Sequence, residues 1–122
     1  MPRIVHFEIP TDDPERASTF YRDVFDWNIN KWDGPQEYWL AETGARDTPG
    51  IDGGLMRRMP EFPTVVNTIG VDSVDEYTRK ITEGGGTIVA PKMPIPGMGW
   101  LAYFKDTEGN TFGIMQPDSE AK

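Results

Sequence analysis

The 122 residues run through one plan twice: a strand, a helix and three more strands, with a break at Pro60–Pro63. This internal repeat of about 60 residues constrains the fold more than any other feature, because neither half can bury a full core alone. In the first half "RIVHFEIP" alternates, with Val5, Phe7 and Ile9 on one face and Ile4, His6 and Glu8 on the other. Asp13 is a good helix N-cap and Pro14 suits the first helical position. Ala17, Phe20, Tyr21, Val24 and Phe25 then form one apolar helical stripe. "WNINKWD" and "EYWLAET" read as strands around the turn Asp33–Gln36, and "GIDGGLMRR" as a third strand weakened by Gly53 and Gly54.

The second half repeats the plan. "TVVNTIGV" is a strand, and Ser73 with Glu76 makes a capping box for the helix "VDEYTRKITE". Gly84, Gly85 and Gly86 stop it. "TIVAP" reads as a short strand and "KMPIPGMG" as a loop, too broken by Pro and Gly to be a helix. "WLAYFKD" and "TFGIMQP" close the chain as a hairpin around Asp106–Asn110.

Twelve Lys and Arg stand against 20 Asp and Glu, a formal net charge of −8. Such a surface repels phosphate backbones and argues against a nucleic-acid partner. It suits a cationic ligand, though acidity of this kind more often serves solubility. There is no cysteine, which excludes disulfides, thiol nucleophiles and Cys-ligated metals. "MPRIVHFEIP" lacks a long apolar run, so the expectation is no signal peptide, no membrane span and a cytoplasmic protein.

The alternation also places candidate site residues. The rows Val5/Phe7/Ile9, Val65/Ile69/Val71 and Phe112/Ile114 are claimed by the helices. Opposite them fall His6 and Glu8, then Val66, Thr68 and Gly70, then Thr111, Gly113 and Met115. If that second face curves into a cleft, its polar groups line it around an apolar floor, as in small-molecule sites. Gly113 interrupts a strand interior, the mark of a bulge or a close approach. Trp100, beside the Pro/Gly loop, is placed at the mouth, and Trp27 in the core. Arg57 and Arg58 fall on opposite faces and read as a solvated strand end. Gly97 and Gly99 lack the following helix that an anion site needs. No Ser-His-Asp set and no phosphate loop is present.

The stretches "HFEIPTDDPERASTFYRDVFDW", "VDSVDEYTRKITEGGGTIV" and "IPGMGWLAYFKDTEGNTFGIMQP" give the chain a resemblance to the vicinal oxygen chelate superfamily. That group includes glyoxalase I, bleomycin-resistance proteins and extradiol dioxygenases. The resemblance implies an α+β fold: two βαβββ modules forming a curved eight-stranded mixed sheet, with helices on the outer face. It implies one domain over residues 1–122, made of modules 1–60 and 61–122. Family members of this size usually pair, so a homodimer is expected, and Trp32, Trp39 and Tyr38 are read as exposed aromatics that an interface would cover.

In metal-dependent members, His and Glu on the first and last strand of each module hold a divalent ion that binds two neighbouring substrate oxygens. His6 matches the first of these positions. The second module's first-strand position falls on Val66 or Asn67, the first module's last strand offers no His or Glu, and Gly113 stands where a Glu is expected. Gly113 is therefore read as opening space. With one His in the chain, a two-His site within one subunit is impossible. The expected function is binding of a small organic molecule without the full metal site. His6 and Glu8 are the candidate catalytic residues, and Thr68, Trp100, Thr111, Gly113 and Met115 the ligand-binding ones. The alternatives are a glyoxalase-like lyase or dioxygenase, with an atypical metal site or with His6 as general base, and a non-catalytic partner or regulatory domain.

Overall fold

The computed structural model describes residues 2–122. Eight strands form a mixed sheet accompanied by two helices, in the order expected for two βαβββ modules. They are β1 (Arg3–Thr11), α1 (Pro14–Phe25), β2 (Asn28–Lys31), β3 (Trp39–Glu42), β4 (Gly53–Arg57), β5 (Val66–Gly70), α2 (Val74–Glu83), β6 (Thr87–Ile95), β7 (Gly99–Lys105) and β8 (Thr111–Pro117). The chain packs as two compact units. One is His6–Val66; the other is Asn67–Lys122 together with the strand residues up to Val5. The packing boundary thus cuts β1, whereas the repeat boundary lies near Pro60.

In the His6–Val66 unit the strand order is β2-β3-β4-β1, antiparallel except for the parallel β1–β4 pair. Asp13 caps α1 by accepting the Arg16 N–H at 3.1 Å, with Pro14 in the first turn. Ile29, Trp39, Ala41 and Leu55 form the core, with Ile9, Ala17, Tyr21 and Trp27 against it. Trp27 stacks on Tyr21 at 4.9 Å, as a core residue should. The helical stripe is narrower than its sequence implies. Ala17 and Tyr21 reach the core, but Phe20, Val24 and Phe25 are more than half exposed. Five apolar positions span more of the helix circumference than four short strands cover.

The aromatics of the β2–β3 hairpin also differ from expectation. Trp39 is only 3% exposed and donates from Nε1 to Glu15 at 3.0 Å. Tyr38 and Trp32 are half-buried. Trp39 therefore gives no support to a dimer, because the unit's own core already covers it, and Tyr38 and Trp32 are less exposed than expected. Arg57 and Arg58 do end in solvent, paired with Glu37 at 2.6 Å and Asp12 at 2.9 Å.

In the second unit the order is β5-β8-β7-β6, with β5 parallel to β8. Ser73 caps α2 through the Glu76 N–H at 3.1 Å, and the Gln116 side chain accepts the Val74 N–H at 3.0 Å. Val71, Val74, Ala102, Phe104 and Ile114 make the core, with Ile69, Tyr77, Ile81 and Phe112 packed on it. Val65 was expected in this apolar row; it lies outside β5 and is exposed. Asp106 ties the closing hairpin by accepting the Asn110 and Glu108 N–H groups at 2.9 and 2.8 Å, and these bonds hold its carboxylate below the usual range.

The expected short strand and long loop after α2 are one nine-residue strand, β6. Its prolines are tolerated because β6 is the outer strand of its unit and one side needs no N–H partner. Register shifts between Ile88 and Ala90 and between Ala90 and Met93 absorb the irregularity. The connection to β7 shrinks to a turn in which the Met98 N–H donates to Ile95 at 2.9 Å. Pro96 occupies its second position and Gly97, at φ 75°, its third, the pattern of a type II turn.

Candidate functional site

In the His6–Val66 unit, β1 and β4 run in parallel with Glu8 beside Gly54 and Ile9 beside Leu55. Ile9 and Leu55 join the helix-side core, so Glu8 and Gly54 share the face turned away from α1. His6 lies two residues back on that face. Glu8 is 7% exposed, an unusual depth for a carboxylate. Leu40 pairs with Gly54 from β3. A side chain at Gly54 would run into the Tyr38 phenol, so the glycine exists to let that ring lie over the strand. The Tyr38 hydroxyl meets His6 Nε2 at 2.8 Å.

Burial lowers the pKa of His6 below the ordinary 6.5, with Glu8 and Asp52 opposing that shift. The ring is therefore neutral at pH 7. The folded protein binds this proton less readily than the unfolded chain, so the His6 contribution to stability is full above pH 6.5 and is lost as pH falls toward the lowered value. Thermal melting points should drop between neutral and mildly acidic pH, and His6→Gln should flatten that slope. An identical slope in the variant would place the titrating group elsewhere.

In the second unit, Thr68 pairs with Gly113, and Gly113 with Tyr103. Thr111 lies two residues before Gly113 on the same face, and Met115 two after it, beside Gly70 and Leu101. Thr68 is 2% exposed. The space expected at Gly113 is already taken. A Cβ there would sit 3.0 Å from Thr68 Oγ1 and 3.3 Å from the Tyr103 ring. The glycine marks a close approach within the unit. Trp100 falls on the opposite face. It pairs with Gln116, packs on the helix-side core, and donates to Asp118 at 2.9 Å, with Lys92 Nζ 4.7 Å from the ring centre.

The structure thus brings His6 and Glu8 together in one unit, and Thr68, Thr111, Gly113 and Met115 on one face of the other, and separates Trp100 from those four. Sequence reasoning missed Tyr38 and Tyr103. The signal for both was a strand-interior glycine, Gly54 or Gly113, whose missing side chain is replaced by a neighbouring phenol ring.

At two of the positions where the resemblance expects metal ligands, the residues present are not donors. Val66, at a first-strand position, is a 1% exposed apolar side chain. Gly113 offers no donor, and its surroundings are tightly packed. Among the described residues, no three His, Asp or Glu side chains come together to hold an ion.

Comparison with known proteins places these observations in a family. The pattern described as bleomycin resistance protein-like N-terminal matches residues 3–44. A glyoxylase-like domain-containing protein of Didymella fabae is 30% identical over 120 residues, covering 92% of this chain and 91% of the relative. A Mycobacterium tuberculosis protein provisionally named glyoxylase CFP32 is 28% identical over 116 residues, which is 89% of this chain but only 43% of that longer protein. Among solved structures, methylmalonyl-CoA epimerase in complex with methylmalonyl-CoA and NH4+ matches with a TM-score of 0.70 at 14% identity, covering 100% of this chain and 99% of the epimerase. That likeness shows the fold alone.

Proposed function

Because this chain belongs to the vicinal oxygen chelate superfamily, we propose that it binds a small organic molecule without the family's full metal site. The observation that carries this reading is the chemistry at the family's ligand positions: His6 is kept, while Val66 and Gly113 are closed into packed surroundings. Each unit still offers a sheet face free of its helix. His6, Glu8 and Tyr38 supply polar groups on one, and Thr68, Thr111 and Met115 line the other. We assign ligand contact to these faces and leave Trp100 out, since its ring is used in packing.

The freshly purified protein should hold no stoichiometric Zn, Ni, Mn or Fe after dialysis against each, and native mass spectrometry should find a retained organic molecule. One tightly held ion per subunit by elemental analysis would overturn this reading and favour a metal-dependent glyoxalase-like lyase or dioxygenase.

Among the described residues, no helix is long and apolar enough to cross a membrane. A homodimer belongs to the same proposal and rests on the family resemblance, and a cytoplasmic location belongs to it on the apolar pattern of the sequence. Sedimentation equilibrium should give twice 13.8 kDa at micromolar concentration, and a single 13.8 kDa species would remove the dimer.

A further inference from the structure

We propose that Tyr38 is a positioning residue that locks His6 in its Nδ1–H tautomer, so that His6 acts toward a ligand as a neutral hydrogen-bond donor to an acceptor oxygen and not as a general base. This rests on the reading of the His6 face as ligand-binding.

The inference begins with the 2.8 Å contact between the Tyr38 hydroxyl and His6 Nε2. One of the two atoms must supply the proton. A phenol is a good donor and a weak acceptor, whereas an unprotonated imidazole nitrogen is a strong acceptor, so the hydroxyl donates to Nε2. Nε2 is then unprotonated, and the ring's single proton sits on Nδ1. The phenol is held in place independently of this bond. Its ring lies over Gly54, where any side chain would displace it. Its backbone carbonyl accepts the Trp32 N–H at 2.7 Å, which fixes the end of the segment carrying it. The His6 and Tyr38 rings are within 16° of parallel, consistent with a pair set by packing on both sides.

The consequence is chemical. A histidine serving as a base needs an unprotonated nitrogen facing the proton that it removes. Here the unprotonated nitrogen is occupied by Tyr38, and the ring's other nitrogen carries a proton. The partner suited to it is an oxygen lone pair, as on a carbonyl group.

His6 is the chain's one histidine, so a protein labelled with 15N-histidine gives a single imidazole spin system. Long-range 1H–15N correlation at about pH 8, where the ring is neutral, distinguishes the tautomers. Wild type is expected as Nδ1–H. Tyr38→Phe keeps the ring over Gly54 but removes the hydroxyl, and should shift the population toward Nε2–H. An Nε2–H ring in wild type would overturn the proposal, as would a folded Tyr38→Phe protein with an unchanged tautomer. If Tyr38→Phe does not fold, the wild-type tautomer alone decides. The measurement needs no ligand, so its failure is distinct from failure to find a retained molecule.

Discussion

Gly113→Glu should lose stability on the order of 4 kcal/mol, a large fraction of the roughly 5–15 kcal/mol that holds a domain of this size folded. Gly113 is buried between Thr68 and Tyr103 on the neighbouring strands. Its first added carbon would already stand 3.0 Å from the Thr68 hydroxyl and 3.3 Å from the Tyr103 ring. The rest of a glutamate must push that ring aside, an overpacking cost of about 1–3 kcal/mol. It would also bury a carboxylate beside a hydroxyl and a phenyl edge, which adds desolvation. Gly113→Ala separates the two effects. It adds only the first carbon, and Thr68 can yield a few tenths of an ångström, so about 1 kcal/mol is expected. Urea denaturation measures both. A Gly113→Glu protein as stable as wild type would mean that the strand face is open there after all.

Trp39→Ala should cost about 3–5 kcal/mol, the range for removing a fully buried aromatic. Trp39 is 3% exposed among Ile29, Ala41 and Leu55, and its indole N–H is satisfied by Glu15. Trp32→Ala in the same hairpin should cost about 1 kcal/mol, because that half-buried ring leans on the turn near Gly34 and not on the core. Guanidinium melts of the two variants read the contrast directly. Equal losses would show that Trp39 is not the core anchor that its burial makes it.

Much of the architecture was legible because it is written in short-range rules. The Asp13 and Ser73 caps act within three residues, and the Asp106 turn within four. Strand alternation placed Ile9, Ile69, Phe112 and Ile114 toward the helices and His6, Glu8, Thr68 and Thr111 away from them. What failed depended on how much neighbouring surface was available. Five α1 residues were read as one apolar stripe, yet Phe20, Val24 and Phe25 remain exposed. The Pro/Gly stretch after Pro91 was read as loop, yet an outer strand extends through Ile95 and accepts its prolines.

The site shows the same division. Sequence alone determined that this chain repeats a βαβββ plan and that it has one imidazole, because composition and period-two alternation are properties of the chain itself. Gly113 was read as opening space, and there the structure has a close approach instead. Only tertiary structure decided what approaches. Tyr38 reaches His6 from 32 residues away, and Tyr103 closes over Gly113 from the adjacent strand. Trp100 likewise turned to the helix side because the register with Gln116 set its face. Strand register and ring packing are set by contacts between distant segments, and no local pattern encodes which side chain fills the space a glycine leaves.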